Sequence, residues 1–308
     1  RQVMPRYVLR RLLQAAVVLW GISVLIFCVA RLSGNPVDLM VPLDAPRETR
    51  TQLIREMGFD APLPVQYVRF LARALQGDFG VSIRFRQPAF RLVLERVPAT
   101  AELAMASLGF GVLVGVLLGV LAAVRYRTWP DIVVLGTTSV GQSLPSFWVG
   151  ILFILFFSVK LGWLPVSGRE GFSSLVLPAL SLGILPIVSI SRITRSSMLD
   201  ALRQDYVRTA RAKGLMEHAV VYRHALRTAL LPVVTLVGLQ LGALLSGAVI
   251  TEQVFAWPGI GRLAVDAIQN RDYPVVQSAA LVGSTFLVAI NLLVDFAYTW
   301  LDPRIRLA

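Results

Sequence analysis

The sequence predicts an all-α integral membrane protein with six transmembrane helices and a small helical extracytoplasmic segment. Its 308 residues are 56% hydrophobic and 16% charged, with a mean hydropathy of +0.67. Soluble domains carry about 45–50% apolar and about 25% charged residues, so this balance is typical of a membrane protein. The net charge is +12. Because the basic residues cluster beside apolar runs, they indicate membrane topology and no nucleic-acid partner.

The apolar residues form six runs, and a helix needs about 20 such residues to cross a bilayer. The candidate spans are residues 9–30, 99–124, 132–159, 175–190, 231–250 and 278–300. The third is interrupted at Pro145, and the fourth is short and contains Pro178 and Pro186. The first follows basic residues as a signal peptide would, but its apolar run is longer than about 7–15 residues and no Ala-x-Ala site follows. We therefore expect it to be an anchored helix.

Short loops rich in arginine predict the orientation. They precede the first span and follow the second, fourth and sixth, so the positive-inside rule places both termini in the cytoplasm. Residues 33–98 carry nine arginines on the opposite side. Long loops translocate largely regardless of charge, so this segment does not contradict the topology.

The chain is expected to have three parts. Residues 1–31 form the N-terminal cytoplasmic end and first span, and residues 32–98 the extracytoplasmic segment, with helices at 47–57 and 65–74. Residues 99–308 form a five-helix core that includes a cytoplasmic loop at 192–230. Gly111, Gly115 and Gly119 lie along one face of the second span, which favours close approach of a neighbouring helix.

The cytoplasmic loop concentrates positive charge on an Ala-rich background. The pattern predicts a helix over 198–214, ended by Gly214, and a second helical piece over 215–227. Two interpretations are open on composition: a solvated basic loop that fixes topology, or a surface that docks a partner.

The loop resembles the cytoplasmic loop of permeases of ATP-binding-cassette (ABC) importers, whose signature runs Glu-Ala-Ala, then Gly, then Ile-x-Leu-Pro. Arg208, Thr209 and Ala210 stand at the first triplet and Gly214 at the glycine, whereas Arg227 replaces the proline. The variant YVRTARAKGL…RHALRTALLPVV is similar to the first permease subunit of the oligopeptide/dipeptide (Opp/Dpp) branch.

That resemblance extends over nearly the whole chain. It includes YVLRRLLQ near the start, GFDAPLPVQYVRFLARALQGDFGVS in the outer segment and LPSFWVGILFILFFSVKLGWLPVSG in the third span. It continues through VITEQVFAWPGIGRLAVDAIQNRDYPVVQ to NLLVDFAYTWLDPRIR. The order of these pieces together is highly specific.

The resemblance implies a type I ABC importer permease fold and an ATP-driven, binding-protein-dependent importer of peptides, with glutathione or a nickel complex as other cargoes of the branch. It implies a second permease subunit resembling DppC or OppC, two ATPase subunits resembling DppD and DppF that bind ATP and Mg, and an extracytoplasmic substrate-binding protein. The loop would be a coupling helix seated on the ATPase. Its residues would be Arg208, Thr209, Ala210, Ala212, Lys213, Gly214 and Leu215.

Polar side chains within spans usually face the bundle interior, so they are candidates for the translocation pathway. These candidates are Gln142, Ser143, Gln240 and Ser246. The alternative is hydrogen bonding between helices.

Two other function classes are weighed. A proton-coupled secondary transporter would need ionisable residues near mid-membrane and often an internal repeat, and neither is clear here. An intramembrane enzyme is not indicated, because His-Glu-x-x-His and paired intramembrane carboxylates are absent. The only lysines, Lys160 and Lys213, precede neither Ser nor Thr, so the chain has no P-loop and no ATP-binding cofactor site of that kind. His218 and His224 are badly spaced for a metal site, and none is expected.

Overall fold

The computed structural model describes residues 3–32 and 60–301, which form helices joined by short connections and contain no β-strand. The helix expected at 47–57 lies outside the described residues. The helices are α1 (Val3–Leu32), α2 (Leu63–Leu75), α3 (Ala89–Leu94), α4 (Val97–Val124), α5 (Trp129–Ser143), α6 (Ser146–Phe153), α7 (Phe172–Leu202), α8 (Asp205–Ala212), α9 (Glu217–Ala219), α10 (Leu226–Val254), α11 (Ile260–Gln269) and α12 (Tyr273–Leu301).

Five helical segments are long and apolar enough to span a membrane, and a sixth span is broken. The broken span consists of α5 and α6, which are bent by 103° at Leu144 and Pro145. Leu144 is extended, and Pro145 has no backbone N–H to continue α5. The interruption predicted at Pro145 is therefore a sharp bend, and residues 132–159 are not one straight helix. After α6, residues Ile154–Lys160 continue as a π-helix.

One structural unit combines the described residues before Ala99 with Gly259–Leu292. In it, α3, α11 and the start of α12 share an apolar core. The buried carboxylate of Asp272 accepts hydrogen bonds from the Ser82 hydroxyl at 2.5 Å and from the backbone N–H groups of Ile83 and Arg84 at 3.2 and 3.3 Å. The helix predicted at 65–74 is α2, whereas α11 was not predicted and lies in an expected outer loop.

The other unit contains Ala99–Pro258 and the last part of α12. Its central helix is α7, which packs against α5, α6 and α10. Trp257 is fully buried after α10, and its indole N–H donates to the Ala99 carbonyl at 2.7 Å. The Ser181 hydroxyl donates to the Ser146 carbonyl at 2.7 Å, which ties the start of α6 to α7. The bend between α5 and α6 is thus held against the central helix.

The central helix is longer than the sequence predicts. The apolar run at 175–190 suggests a short span, but α7 runs for 31 residues and includes Pro178 and Pro186. Membrane helices tolerate proline where neighbouring groups satisfy the freed backbone. Pro186 also packs closely on α4, because a Cβ atom added at Gly111 would lie 2.5 Å from the Pro186 Cβ. Residues from Arg192 to Leu202 continue α7, whereas the sequence predicts that the cytoplasmic loop begins at Arg192.

The glycine stripe on α4 sets the distance to α7. A Cβ atom at Gly115 would lie 2.9 Å from Ile190, and one at Gly119 would lie 2.5 Å from the Thr194 Cβ. Real Cβ atoms do not approach this closely, so only glycine permits the observed spacing. The close helix approach predicted from the stripe is confirmed.

Candidate functional site

The segment after α7 turns back on its own unit through α8. The expected single helix over 198–214 is wrong, because α7 ends at Leu202 and Gln204 is extended with φ −72° and ψ 152°. The break redirects the chain so that Val207 and Ala210 on α8 are buried in one core with Met198. Burial of these apolar side chains favours the turn over a continuous helix.

Gly214 ends α8, as the sequence predicts. Its φ is +75°, a left-handed conformation that glycine adopts without a Cβ penalty. Its N–H bonds to the Arg211 carbonyl at 2.9 Å, and the Leu215 N–H to the Ala210 carbonyl at 3.4 Å. These two bonds form a Schellman cap. A Cβ atom at Gly214 would have no heavy atom within 4 Å, so this corner of the protein is open.

An ion pair braces the turn that follows. The Arg211 guanidinium donates from Nε and Nη2 to the two Glu217 carboxylate oxygens at 3.1 and 2.7 Å. This bidentate bond raises the pKa of the Arg211 guanidinium above its usual value. It joins α8 to the start of α9 and so fixes the turn at Gly214, while the outer surface of that turn stays open.

Six of the seven residues predicted to contact an ATPase are exposed on this corner, and Ala210 is not. The exposed ones are Arg208, Thr209, Ala212, Lys213, Gly214 and Leu215. Ala210 is 5% exposed and packs on the core of its own unit. Exposed apolar side chains continue the same surface at Met216 and Tyr206.

The pathway candidates Gln142 and Ser143 lie at the end of α5, immediately before the bend. Both are exposed, and so is Ser139 one turn earlier. The Ser143 hydroxyl donates to the Ser139 carbonyl at 3.1 Å, so its hydrogen-bonding needs are met within the helix. Gln142 instead reaches a second helix, because its Oε1 accepts a hydrogen bond from Nη1 of Arg192 on α7 at 2.6 Å.

Arg192 extends this polar surface onto α7. Its Nη2 donates to the Ser139 hydroxyl at 3.2 Å. The exposed or half-exposed positions of α7 around it recur at helical spacing: Leu185, Ser189, Arg192 and Ser196. The facing stripes of α5 and α7 therefore form one polar surface, here called the 142–192 patch: Ser139, Gln142, Ser143, Ser189, Arg192 and Ser196.

A second arginine, one turn further along α7, has a different environment. Arg195 donates from Nε and Nη2 to the two carboxylate oxygens of Asp131 at 2.6 and 2.9 Å. The side chains of Arg195 and Asp131 are only 19% and 4% exposed. Asp131 also accepts from the Arg127 N–H at 3.0 Å, and the Arg195 guanidinium lies 5.4 Å from the centre of the Tyr126 ring. This cluster fastens the start of α5 to α7.

The other two pathway candidates are not brought to the patch by any hydrogen bond among the described residues. Gln240 is half-buried within α10. Ser246 also lies in α10, with its side chain outside the described part of the chain. In the described ranges, no three His, Cys, Asp or Glu side chains are grouped so that they would hold a metal ion.

Sequence reasoning missed Arg192, Arg195 and Asp131 as members of a site. The apolar run of the fourth span ends at residue 190, so the sequence alone predicts a loop for both arginines. The signal that reveals them is the continued helical spacing of Ile190, Thr194, Met198 and Ala201, because these residues, three or four apart, keep one helix face buried past the first charged position.

Comparisons with known proteins agree with this architecture. The "Binding-protein-dependent transport system inner membrane component" family matches residues 115–307, and the "Binding-prot-dependent transport system membrane comp, N-term" family matches residues 4–104. One solved structure, the inward-facing MetNI methionine ABC transporter, has a TM-score of 0.56 over 70% of this chain and 94% of that chain, at 21% identity. At that identity the likeness shows the fold alone.

Curated relatives match over almost the full length. The glutathione transport system permease protein GsiC of Salmonella paratyphi A is 42% identical over 304 residues, which are 98% of this chain and 99% of the relative. The di/tripeptide transport system permease protein DppB of Pseudomonas aeruginosa is 40% identical, again with 98% and 99% covered. With two matching family models and relatives at this identity, the chain belongs to the family of inner-membrane permease components of binding-protein-dependent ABC transport systems.

Proposed function

We propose that this chain is one of two permease subunits of an ATP-driven importer of small peptides, with glutathione among the possible cargoes. The observation that carries the proposal is the identity of 40–42% over 98% of the chain to permeases named for glutathione and for di- and tripeptides. The family gives no support to the alternative of a proton-coupled secondary transporter.

In this proposal a second permease subunit completes the pathway, two ATPase subunits bind ATP and Mg, and an extracytoplasmic protein delivers the peptide. Both termini lie in the cytoplasm of a bacterial cell, in its inner membrane. A single cysteine at Arg69 on α2, in a Cys28→Ser background, tests the orientation. The proposal expects labelling from outside intact cells, and labelling only after permeabilisation would contradict it.

The exposed corner around Gly214 is the proposed ATPase contact. Its support is mechanical, since the Schellman cap and the Arg211–Glu217 pair hold α8 and α9 in one shape. A small, braced segment can pass the movement of an ATPase into α7 and α10 as a rigid body. Arg208 and Lys213 supply hydrogen-bond donors at the surface. Val207 and Ala210 pack on the core that includes Met198, so a movement of α8 would also displace α7.

Three substitutions at Gly214 distinguish two effects: strain in the left-handed turn and steric obstruction of the ATPase subunit. Gly214→Ala adds one methyl group and opposes the left-handed conformation by about 1–2 kcal/mol. Gly214→Asn tolerates that conformation better but projects a larger side chain into the open space. Gly214→Leu combines both defects. The proposal expects ATPase copurification and uptake to fall for Asn and Leu while the protein still inserts in the membrane.

Normal ATPase copurification with Gly214→Leu would contradict a coupling role. It would favour the alternative that the segment is a solvated basic loop that fixes topology. The cargo is tested separately, with purified transporter in proteoliposomes and its own binding protein. ATP-dependent uptake of labelled glutathione or of a dipeptide is the expected result. Uptake of neither would overturn the peptide assignment.

A further inference from the structure

The 142–192 patch lies where the uncharged part of α7 ends. Arg192 is the first charged residue of α7, it is exposed on the subunit surface, and its guanidinium bonds to Gln142 and Ser139 of α5 in the broken span. Charged side chains inside spans face a water-filled cavity or another protein surface, because hydrocarbon does not solvate them. Because Arg192 and the polar side chains of α5 share this surface, we expect the patch to face water or a partner subunit and not lipid.

The acceptors around Arg192 are neutral. Its guanidinium bonds to the amide oxygen of Gln142 and to the hydroxyl of Ser139. Within the described ranges no carboxylate lies within the 4.0 Å distance of an ion pair with it. Guanidinium carries five N–H donors. Two neutral acceptors leave the charge uncompensated and leave donors available to a ligand.

Carboxylate is the ligand whose shape fits these donors, because its two oxygens accept two parallel N–H bonds from a guanidinium. The same helix shows this geometry at Arg195, where Asp131 accepts from Nε and Nη2. Around Arg192 the hydroxyls of Ser189 and Ser143 donate within their own helices, so their oxygens remain available as acceptors, and Ser196 lies exposed on the same stripe of α7. These suit the amide groups of a short peptide.

We infer that the 142–192 patch is a carboxylate-binding station of the translocation pathway, in which Arg192 binds a carboxylate of the passing peptide and Gln142 and Ser139 orient the guanidinium. The inference rests on the proposed peptide function. Dipeptides and glutathione share this chemistry, because each carries at least one free carboxylate. Because Gln142 and Ser139 are neutral and Asp131 is already paired with Arg195, no internal carboxylate among the described residues competes with the ligand for Arg192.

The test uses the complete transporter in proteoliposomes with saturating binding protein, and compares a labelled dipeptide with its C-terminal amide. Wild-type uptake is measured first, and its absence for every peptide would mean failure of the proposed function and not of the patch. Arg192→Gln should lower uptake of the free acid by about tenfold, the low end for a charge-assisted hydrogen bond. Uptake of the amide should not fall. Arg125→Gln, which removes an exposed arginine outside the patch, is the matched control for net charge.

A double variant that exchanges the residues at positions 142 and 192 gives a test that does not require the dipeptide amide. Arg192→Gln combined with Gln142→Arg moves the cation to the partner position across the 2.6 Å contact. Recovery of free-acid uptake relative to Arg192→Gln alone is the expected result. Equal losses for acid and amide, or no loss for either, would overturn the inference. A drop in recovered complex for Arg192→Gln would also overturn it, because the arginine would then bind a carboxylate of the second permease subunit.

Discussion

Arg192 and Arg195 lie three residues apart on α7, and the protein surrounds them differently. Arg195 is paired in bidentate fashion with the nearly buried carboxylate of Asp131. Arg192 is exposed and bonds to the neutral side chains of Gln142 and Ser139. Three residues turn a helix by about 300°, so the two side chains leave α7 about 60° apart around its axis and about 4.5 Å apart along it. Arg195 meets the start of α5 and Arg192 its end. Arginine thus joins two helices through an ion pair at position 195, and at position 192 it has donors available to a ligand.

The largest effect is expected from removing the ion pair between Asp131 and Arg195. Asp131→Ala removes both acceptors of Arg195 and the acceptor of the Arg127 N–H. Loss of one partner of a buried ion pair destabilises by about 3–5 kcal/mol. We expect a large fall in the melting temperature of the purified subunit and little protein in the membrane. Unchanged melting would mean that Asp131 and Arg195 are not structurally important.

A double variant checks that this loss belongs to the pair. Asp131→Asn with Arg195→Gln replaces both charges by neutral groups of similar size, so no buried charge remains unpaired. We expect its destabilisation to be smaller than the sum for the two single variants, by about 0.5–3 kcal/mol. Additive losses would show that the two side chains stabilise the fold independently.

The second prediction concerns the position of α7 itself. Gly119→Ala puts a Cβ atom 2.5 Å from the Thr194 Cβ and 2.7 Å from the Ser191 carbonyl oxygen, next to the two arginines along the helix. Overpacking of this kind costs about 1–3 kcal/mol. Gly136→Ala on α5 is the control, because a Cβ there meets no heavy atom within 4 Å. It should be neutral or stabilising by up to about 1 kcal/mol through helix propensity. Equal melting of the two variants would contradict the close contact of α4 with α7.

The third prediction makes Arg192 resemble Arg195. Gln142→Glu places a carboxylate where an amide now accepts from Nη1 at 2.6 Å. The new exposed ion pair should stabilise by only about 0.2–1 kcal/mol. Uptake of peptide should fall, because the guanidinium is then occupied by an internal carboxylate. Gln142→Leu is the companion variant, and it removes the acceptor without adding charge. Full uptake by Gln142→Glu would show that Arg192 need not be available.

Much of the fold follows from the sequence, but the contrast between the two arginines does not. Length and hydropathy predict the spans at α1, α4, α10 and α12, and the missing N–H of Pro145 predicts the interruption of the third span. The left-handed residue at Gly214 also follows from its identity. These are local properties of the chain, so a single sequence contains them.

The remainder depends on tertiary packing. Pro178 and Pro186 suggest a short fourth span, yet α7 continues to Leu202 because α4 supplies a glycine surface for it. The expected helix over 198–214 breaks at Gln204 because Val207 and Ala210 are buried in a core with distant residues. The partner of Arg195 is 64 positions earlier in the chain. Neither composition nor spacing identifies it.

The central claim is that Arg192 serves transport and Arg195 serves structure, and one paired measurement tests it most directly. Arg192→Gln and Arg195→Gln are made in the same complex, and melting temperature and ATP-dependent peptide uptake are measured on the same preparations. The predicted result is that Arg192→Gln changes stability by no more than about 0.5 kcal/mol, as an exposed substitution does, and strongly lowers uptake. Arg195→Gln should destabilise by about 3–5 kcal/mol because Asp131 is left buried and unpaired. Equal destabilisation by both variants, or full uptake by Arg192→Gln, would contradict the account.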